Sequence, residues 1–353
     1  MKTYQTEQIS ALNERDRAVQ RAAELLREGE LAAIPTETVY GLAANAMNPA
    51  AVRRIFEAKG RPQDNPLIVH IADPEALVQV AAQVPEQAKK LMQAFWPGPL
   101  TMILPRVPQV PDETTAGLDS VAVRMPSHPI AREIIRAAGV PLAAPSANLS
   151  GSPSPTTAEH CIQDLSGRVP LIVDGGPCTV GLESTVVSLT GTVPRLLRPG
   201  AVTLEQLQQV LGAVEVDPAV MHSLAEGQAA ASPGMKYKHY APKAKVYLVR
   251  GSLKHFCAYV NARPGLVYAM VFNGEGAELQ KPFVEYGAEF DHAQQAKELF
   301  FLLRRMDELG AQEVYVRCPS TDGVGLAVYN RLIRAAAFTV LELDTEVKSC
   351  SQL

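Results

Sequence analysis

Amphipathic helical patterns alternate with short apolar runs of strand length through about the first two hundred residues, an order that calls for a mixed α/β layer architecture. Residues 14–29 carry a helical apolar period, and LAAIP at 31–35 follows as a buried strand. Pro49 suits a first helical position before AAVRRIFEAKG, and LIVHI at 67–71 reads as the next strand. A helix at 75–94, strands at 121–125, 140–144, 170–174 and 184–189, and helices near 129–138 and 156–166 complete the alternation.

After residue 212 the pattern lapses. Residues 213–243 combine weak periodicity with small residues and prolines, the composition of a long connection, and connections of that length in compact proteins are often functional. Beyond them AKVYLV, LVYAMVF and EVYVR read as strands between helical stretches near 253–262, 291–309 and 324–337, which predicts a second, smaller unit with a largely parallel sheet. At 353 residues the chain exceeds what one core ordinarily organises. The expected division is therefore 1–212, a linker or lid over 213–243, and a C-terminal unit over 244–353.

A net charge of -4 argues against a protein that coats nucleic acid by bulk charge. The five cysteines are scattered and form no C-x-x-C pair, as expected of reduced thiols in a cytoplasmic protein. The segment MKTYQTEQISALNERDR has no apolar signal core, and no apolar run reaches bilayer length, so neither export nor membrane insertion is expected.

Five polar clusters fall at the ends of these elements. PTETVYG at 35–41 follows a buried strand, where open α/β sheets bind ligands, although taken alone a polar turn closed by Gly41 is the plainer reading. KGRPQDNP at 59–66 offers Lys59, Arg61 and Asn65 to an anion; a helix C-terminus accounts for Lys59 and Gly60 but not for the other two. His70 lies in an apolar strand, where a core histidine is the plainer reading, and Arg124 at a strand end needs a carboxylate from the protein or from a substrate. PLAAPSANLSGSPSP at 141–155 is a strand followed by a loop dense in hydroxyls, and Ser184 and Arg198 sit at strand termini. SPGMKYKHYAPK at 232–243 mixes rings and cations as a lid over a nucleotide would, or as a basic RNA-binding patch would. There is no Walker loop, no G-x-G-x-x-G after a strand, and neither of the common zinc motifs.

Together PTETVYGL, KGRPQDNPL, FWPGPLT, PSANLSG, ESTVV and SPGMKYKHYAP, in this order, resemble the YrdC-like threonylcarbamoyl-AMP synthases in the long form with an extra C-terminal domain. The resemblance implies a mixed twisted sheet with helices around a concave ligand groove, plus a smaller Rossmann-like α/β domain. It implies a nucleotidyltransferase that joins L-threonine, bicarbonate or carbon dioxide, and ATP into threonylcarbamoyl-AMP with release of pyrophosphate, for threonylcarbamoyladenosine in tRNA. By the same resemblance, threonine is held by Thr38, His70, Arg124, Ala144 and Ser184. ATP is held by Arg61, Asn65, Ser120, Ser146, Ser154, Arg198 and either His239 or Tyr240, with Lys59 and Arg61 acting in catalysis. Magnesium accompanies the nucleotide, and a tRNA or tRNA-modifying transferase complex is an implied partner. The rival expectations are a noncatalytic RNA-binding module, a carbamoyltransferase of the hydrogenase-maturation type and a nucleotide hydrolase.

Overall fold

The computed structural model describes residues 3–222 and 240–344. An eleven-stranded mixed sheet organises the first part of the chain. In spatial order its strands are Glu7–Ser10, Leu171–Asp174, Ala32–Ile34, Gly41–Asn45, Leu142–Ala143, Ile68–His70, Ser120–Arg124, Leu100–Pro105, Thr185–Ser188, Arg195–Arg198 and Glu215–Val216. The last of these pairs with Arg195 and Leu196, so the sheet runs past residue 212 into the stretch read as linker. Residues 223–239, which hold most of the expected lid, lie outside the described residues.

The helices form where the periodic patterns end on recognisable caps. Asn48 accepts from the Ala50 and Ala51 amides ahead of Pro49–Lys59, and Gly60 closes that helix in the left-handed region, with φ 61°. The helix expected over 75–94 is instead two pieces, a 3-10 segment Pro74–Gln79 and a helix Glu86–Phe95. Pro85 has no amide hydrogen to continue a helix and biases Val84 away from helical backbone, which explains the break.

Alternation along the central strands puts one residue set into the main core and the other onto a concave face. His70 pairs with Arg124, and Arg124 with Thr101, so three polar side chains stand in a row across neighbouring strands. Two residues back on the same face, Ile68, Ala122 and Ile103 join Val186, Leu197 and Ala219 in a small apolar cluster. That cluster forms the floor on which the polar row stands.

The second unit is a five-stranded sheet in the order Phe283–Glu285, Val267–Val271, Glu313–Arg317, Lys245–Arg250 and Val340–Glu342, with every pair parallel. Its helix His292–Glu308 lies so close to Gly181 that a Cβ there would fall 2.5 Å from the Lys297 Cα. Only glycine fits that approach. Arg304 on the same helix donates to Asp164 Oδ2 at 2.7 Å and to the Pro153 carbonyl at 2.6 Å. Val39 and Leu182 of the first unit are buried in the same apolar cluster as Leu299, Phe300 and Leu332 of the second.

Candidate active site

One cleft opens over the polar row, with about 740 Å³ of non-protein space that includes open solvent. The PTET turn forms one wall by local hydrogen bonding. Thr36 Oγ1 donates to the Val39 carbonyl at 2.6 Å and accepts from the Thr38 amide at 3.2 Å, which fixes both hydroxyls in a buried turn.

Arg124 stands at the inner end of the cleft. Its Nη1 donates to Thr38 Oγ1 at 2.8 Å and its Nε to the Gly98 carbonyl at 3.3 Å. Its Nη2 lies 2.7 Å from Glu37 Oε1, an ion contact that lacks hydrogen-bond alignment on either side. Burial pushes the Glu37 carboxyl up, but the Arg124 guanidinium and the Glu37 and Ser127 backbone amides together hold the group below its usual range. Arg124 therefore keeps donor capacity for a second anion. Beside it, burial and the Arg124 charge hold His70 down at about 3, so its ring is neutral at physiological pH.

Ser184 joins this end of the cleft to the next cation. Its hydroxyl shares a 2.7 Å hydrogen bond with Thr101 Oγ1 and accepts from Arg198 Nη2 at 3.2 Å, while Arg198 Nε donates to the Ser184 carbonyl at 3.0 Å. Burial lowers Arg198 to about 10, which still leaves it charged at neutral pH. Arg61 lies against the Phe56 ring at the cleft's rim, its Nη2 donating to the Asn65 carbonyl at 3.3 Å.

The cleft thus gathers Thr38, Lys59, Arg61, His70, Arg124, Ala144, Ser146, Ser184, Arg198 and Tyr240 from segments far apart in the chain. Three expected nucleotide contacts do not line it. Ser154 is sealed and donates to Glu183 Oε1, and Ser120 lies two positions beyond Ala122 on the face that carries Arg124. Asn65 is buried beside the cleft with neither amide atom hydrogen-bonded, a costly state that a ligand or water would relieve. His239 lies outside the described residues. Glu183, which lines the cleft, carried no signal of its own within GLESTVVSL.

Lys59 is clasped by the loop that carries Ser146. Its ammonium donates to the carbonyls of Ser146 and Asn148 and lies 3.4 Å from Asn148 Oδ1, so its donors point into the loop rather than toward a phosphate. Burial, with the nearby Arg61 charge, lowers it to about 7. Lys59→Met strands those carbonyls, so urea unfolding of the variant is expected to show a loss of about 1–3 kcal/mol. Unchanged stability would show that the clasp contributes nothing.

A family model described as Telomere recombination matches residues 24–200, and one described as Threonylcarbamoyl-AMP synthase, C-terminal domain, matches residues 202–337. A Bacillus subtilis protein named threonylcarbamoyl-AMP synthase is 45% identical over 335 residues, covering 94% of this chain and 96% of its own. The chain belongs to the threonylcarbamoyl-AMP synthase family. The crystal structure of P. abyssi Sua5 complexed with L-threonine superposes with a TM-score of 0.87 at 42% identity, covering 96% of this chain and 99% of that one. A Mycobacterium tuberculosis protein named putative threonylcarbamoyl-AMP synthase is 38% identical over 199 residues that cover 91% of it but 56% of this chain. Among the described residues no helix is long and apolar enough to cross a membrane, and no group of three or more His, Cys, Asp or Glu side chains could hold a metal ion.

Proposed function

We propose that this chain is a nucleotidyltransferase that makes L-threonylcarbamoyladenylate from L-threonine, bicarbonate or carbon dioxide, and ATP, for threonylcarbamoyladenosine in tRNA. The observation that carries the reading is that Arg124, with unused donors, and Arg198, held by Ser184, line the same cleft. A guanidinium grips an amino-acid carboxylate with two parallel hydrogen bonds. The Thr38 and Ser184 hydroxyls and the neutral His70 ring lie within the same space for threonine's remaining polar groups, and the Ala144 methyl bounds it.

The amine of threonine and bicarbonate condense to a carbamate with loss of water. A carbamate oxygen then bonds to the α-phosphorus of ATP as the bond to pyrophosphate breaks. That displacement needs alignment and relief of negative charge rather than a protein nucleophile. In this reading Arg198 and Arg61 supply the charge, Ser146 orients the nucleotide, and Lys59 shapes the loop that carries Ser146. The nucleotide enters as its magnesium complex, with phosphate oxygens and water as the main ligands, since Glu37 and Glu183 are both committed to arginines. Tyr240, buried against Phe300 with ring centroids 5.2 Å apart, closes the cleft and would limit water access to the labile mixed anhydride. The division into a catalytic unit, a lid and a C-terminal unit is part of this proposal, as are cytoplasmic residence and delivery to a tRNA-modifying transferase.

Incubation with ATP, labelled bicarbonate and each amino acid in turn tests the proposal. Pyrophosphate and a labelled adenylate are expected with threonine alone. Pyrophosphate release that ignores the amino acid would favour a hydrolase, and salt-sensitive RNA affinity without turnover would favour an RNA-binding module.

A further inference from the structure

Arg331, on the helix Gly325–Ala335 of the second unit, is fully buried, an unusual place for a guanidinium. It is not buried in its own unit's core. Its Nε donates to Glu183 Oε2 at 2.9 Å, its Nη2 to the Glu183 carbonyl at 3.2 Å, and its Nη1 to the Pro199 carbonyl at 2.8 Å. Glu183 and Pro199 are the chain neighbours of Ser184 and Arg198, the two residues that meet in the cleft. The other Glu183 oxygen accepts from Ser154 at the end of the hydroxyl-rich loop. One carboxylate thus ties both cleft walls to a cation supplied by the other unit, and the same guanidinium lies 5.7 Å from the Tyr240 ring.

We propose that Arg331 is a positioning residue for adenylate formation, fixing Ser184, Arg198 and Tyr240 through Glu183 and the Pro199 carbonyl so that the C-terminal unit completes the active site. The inference rests on the synthase reading of that cleft. Arg331 touches neither substrate in this account. It acts by holding the groups that do, and a misplacement of about 1 Å in such groups costs on the order of 10²-fold in rate.

Arg334, one turn further along the same helix, provides the control. It is also buried and crosses to the first unit, but its Nη2 donates at 2.7 Å to the carbonyl of Ala219, a residue of the apolar floor and not of the cleft lining. The test measures kcat, KM for threonine and ATP, and thermal unfolding for Arg331→Met, Arg331→Lys and Arg334→Met in the full chain. Arg331→Met is expected to lower kcat of the folded enzyme about 10²-fold. Arg331→Lys keeps a cation beside Glu183 but cannot fork to Pro199, and should lower kcat about tenfold. Arg334→Met should lose stability and keep wild-type kcat and KM. Should Arg331→Met fail to fold, a kcat reduced in the folded Lys variant carries the proposal, and an unchanged one overturns it. Equal kinetic behaviour of the Arg331 and Arg334 variants also overturns it. Absence of threonine-dependent pyrophosphate release in the wild type would sink the synthase reading as well, whereas an unchanged kcat in Arg331→Met beside normal wild-type release sinks the positioning role alone.

Discussion

Arg124→Met is expected to lower threonine-dependent pyrophosphate release, as kcat/KM, by on the order of 10³-fold, equivalent to about 4 kcal/mol. Two losses combine. The substrate carboxylate loses its bidentate partner, and Glu37, sealed in the PTET turn, loses the cation that keeps it ionised. A carboxylate left in that surrounding would take up a proton or draw in water, and either response disturbs Thr38. Arg124→Lys separates the effects, because an ammonium can still neutralise Glu37 while it cannot present two parallel donors. Its fold should survive, and most of the loss should appear in KM for threonine. If both variants bind threonine as the wild type does, measured by calorimetry, Arg124 does not hold the carboxylate and the cleft must be oriented differently.

Ending the chain at His222 is expected to abolish detectable synthesis. The truncation removes Tyr240 from the cleft and Arg331 from Glu183, and it uncovers Val39 and Leu182, which are 6% and 0% exposed beneath the second unit. The Asp164 carboxylate and the Pro153 carbonyl lose Arg304 at the same time. Any soluble product should bind ATP more weakly by at least tenfold, since two of the cleft's walls lose their bracing. Full synthesis at the wild-type KM for ATP would show that the first unit alone builds the site. The existence of a shorter relative does not decide the matter, because this chain's first unit carries a buried acidic residue matched to an arginine from the second.

Much of this arrangement was legible in the chain because it rests on local signals. Polar clusters at the ends of strands and of one helix placed Thr38, Arg61, Arg124, Ser146, Ser184 and Arg198 near ligand-binding edges, and the cleft brings all of them together. Short edge strands escaped. Glu7–Ser10 and Glu215–Val216 carry few apolar residues and are strands by virtue of partners distant in sequence. The direction of Lys59 was equally hidden, since a motif shows that a cation is present but not that its donors turn inward to the carbonyls of Ser146 and Asn148. Arg331 gave no sign at all. Its partner lies 148 positions earlier in the chain, and a helix pattern reports which residues are apolar, not which buried charge has found its counterion elsewhere.

The contact at Gly181 has a bearing on how a finished adenylate leaves. A helix backbone blocks the loop before Glu183 in one direction and a guanidinium tethers it in the other, so that wall has no freedom to flap by itself. Egress along that side requires the whole C-terminal body to swing, and turnover would then be paced by the rocking of a domain rather than by a flickering loop.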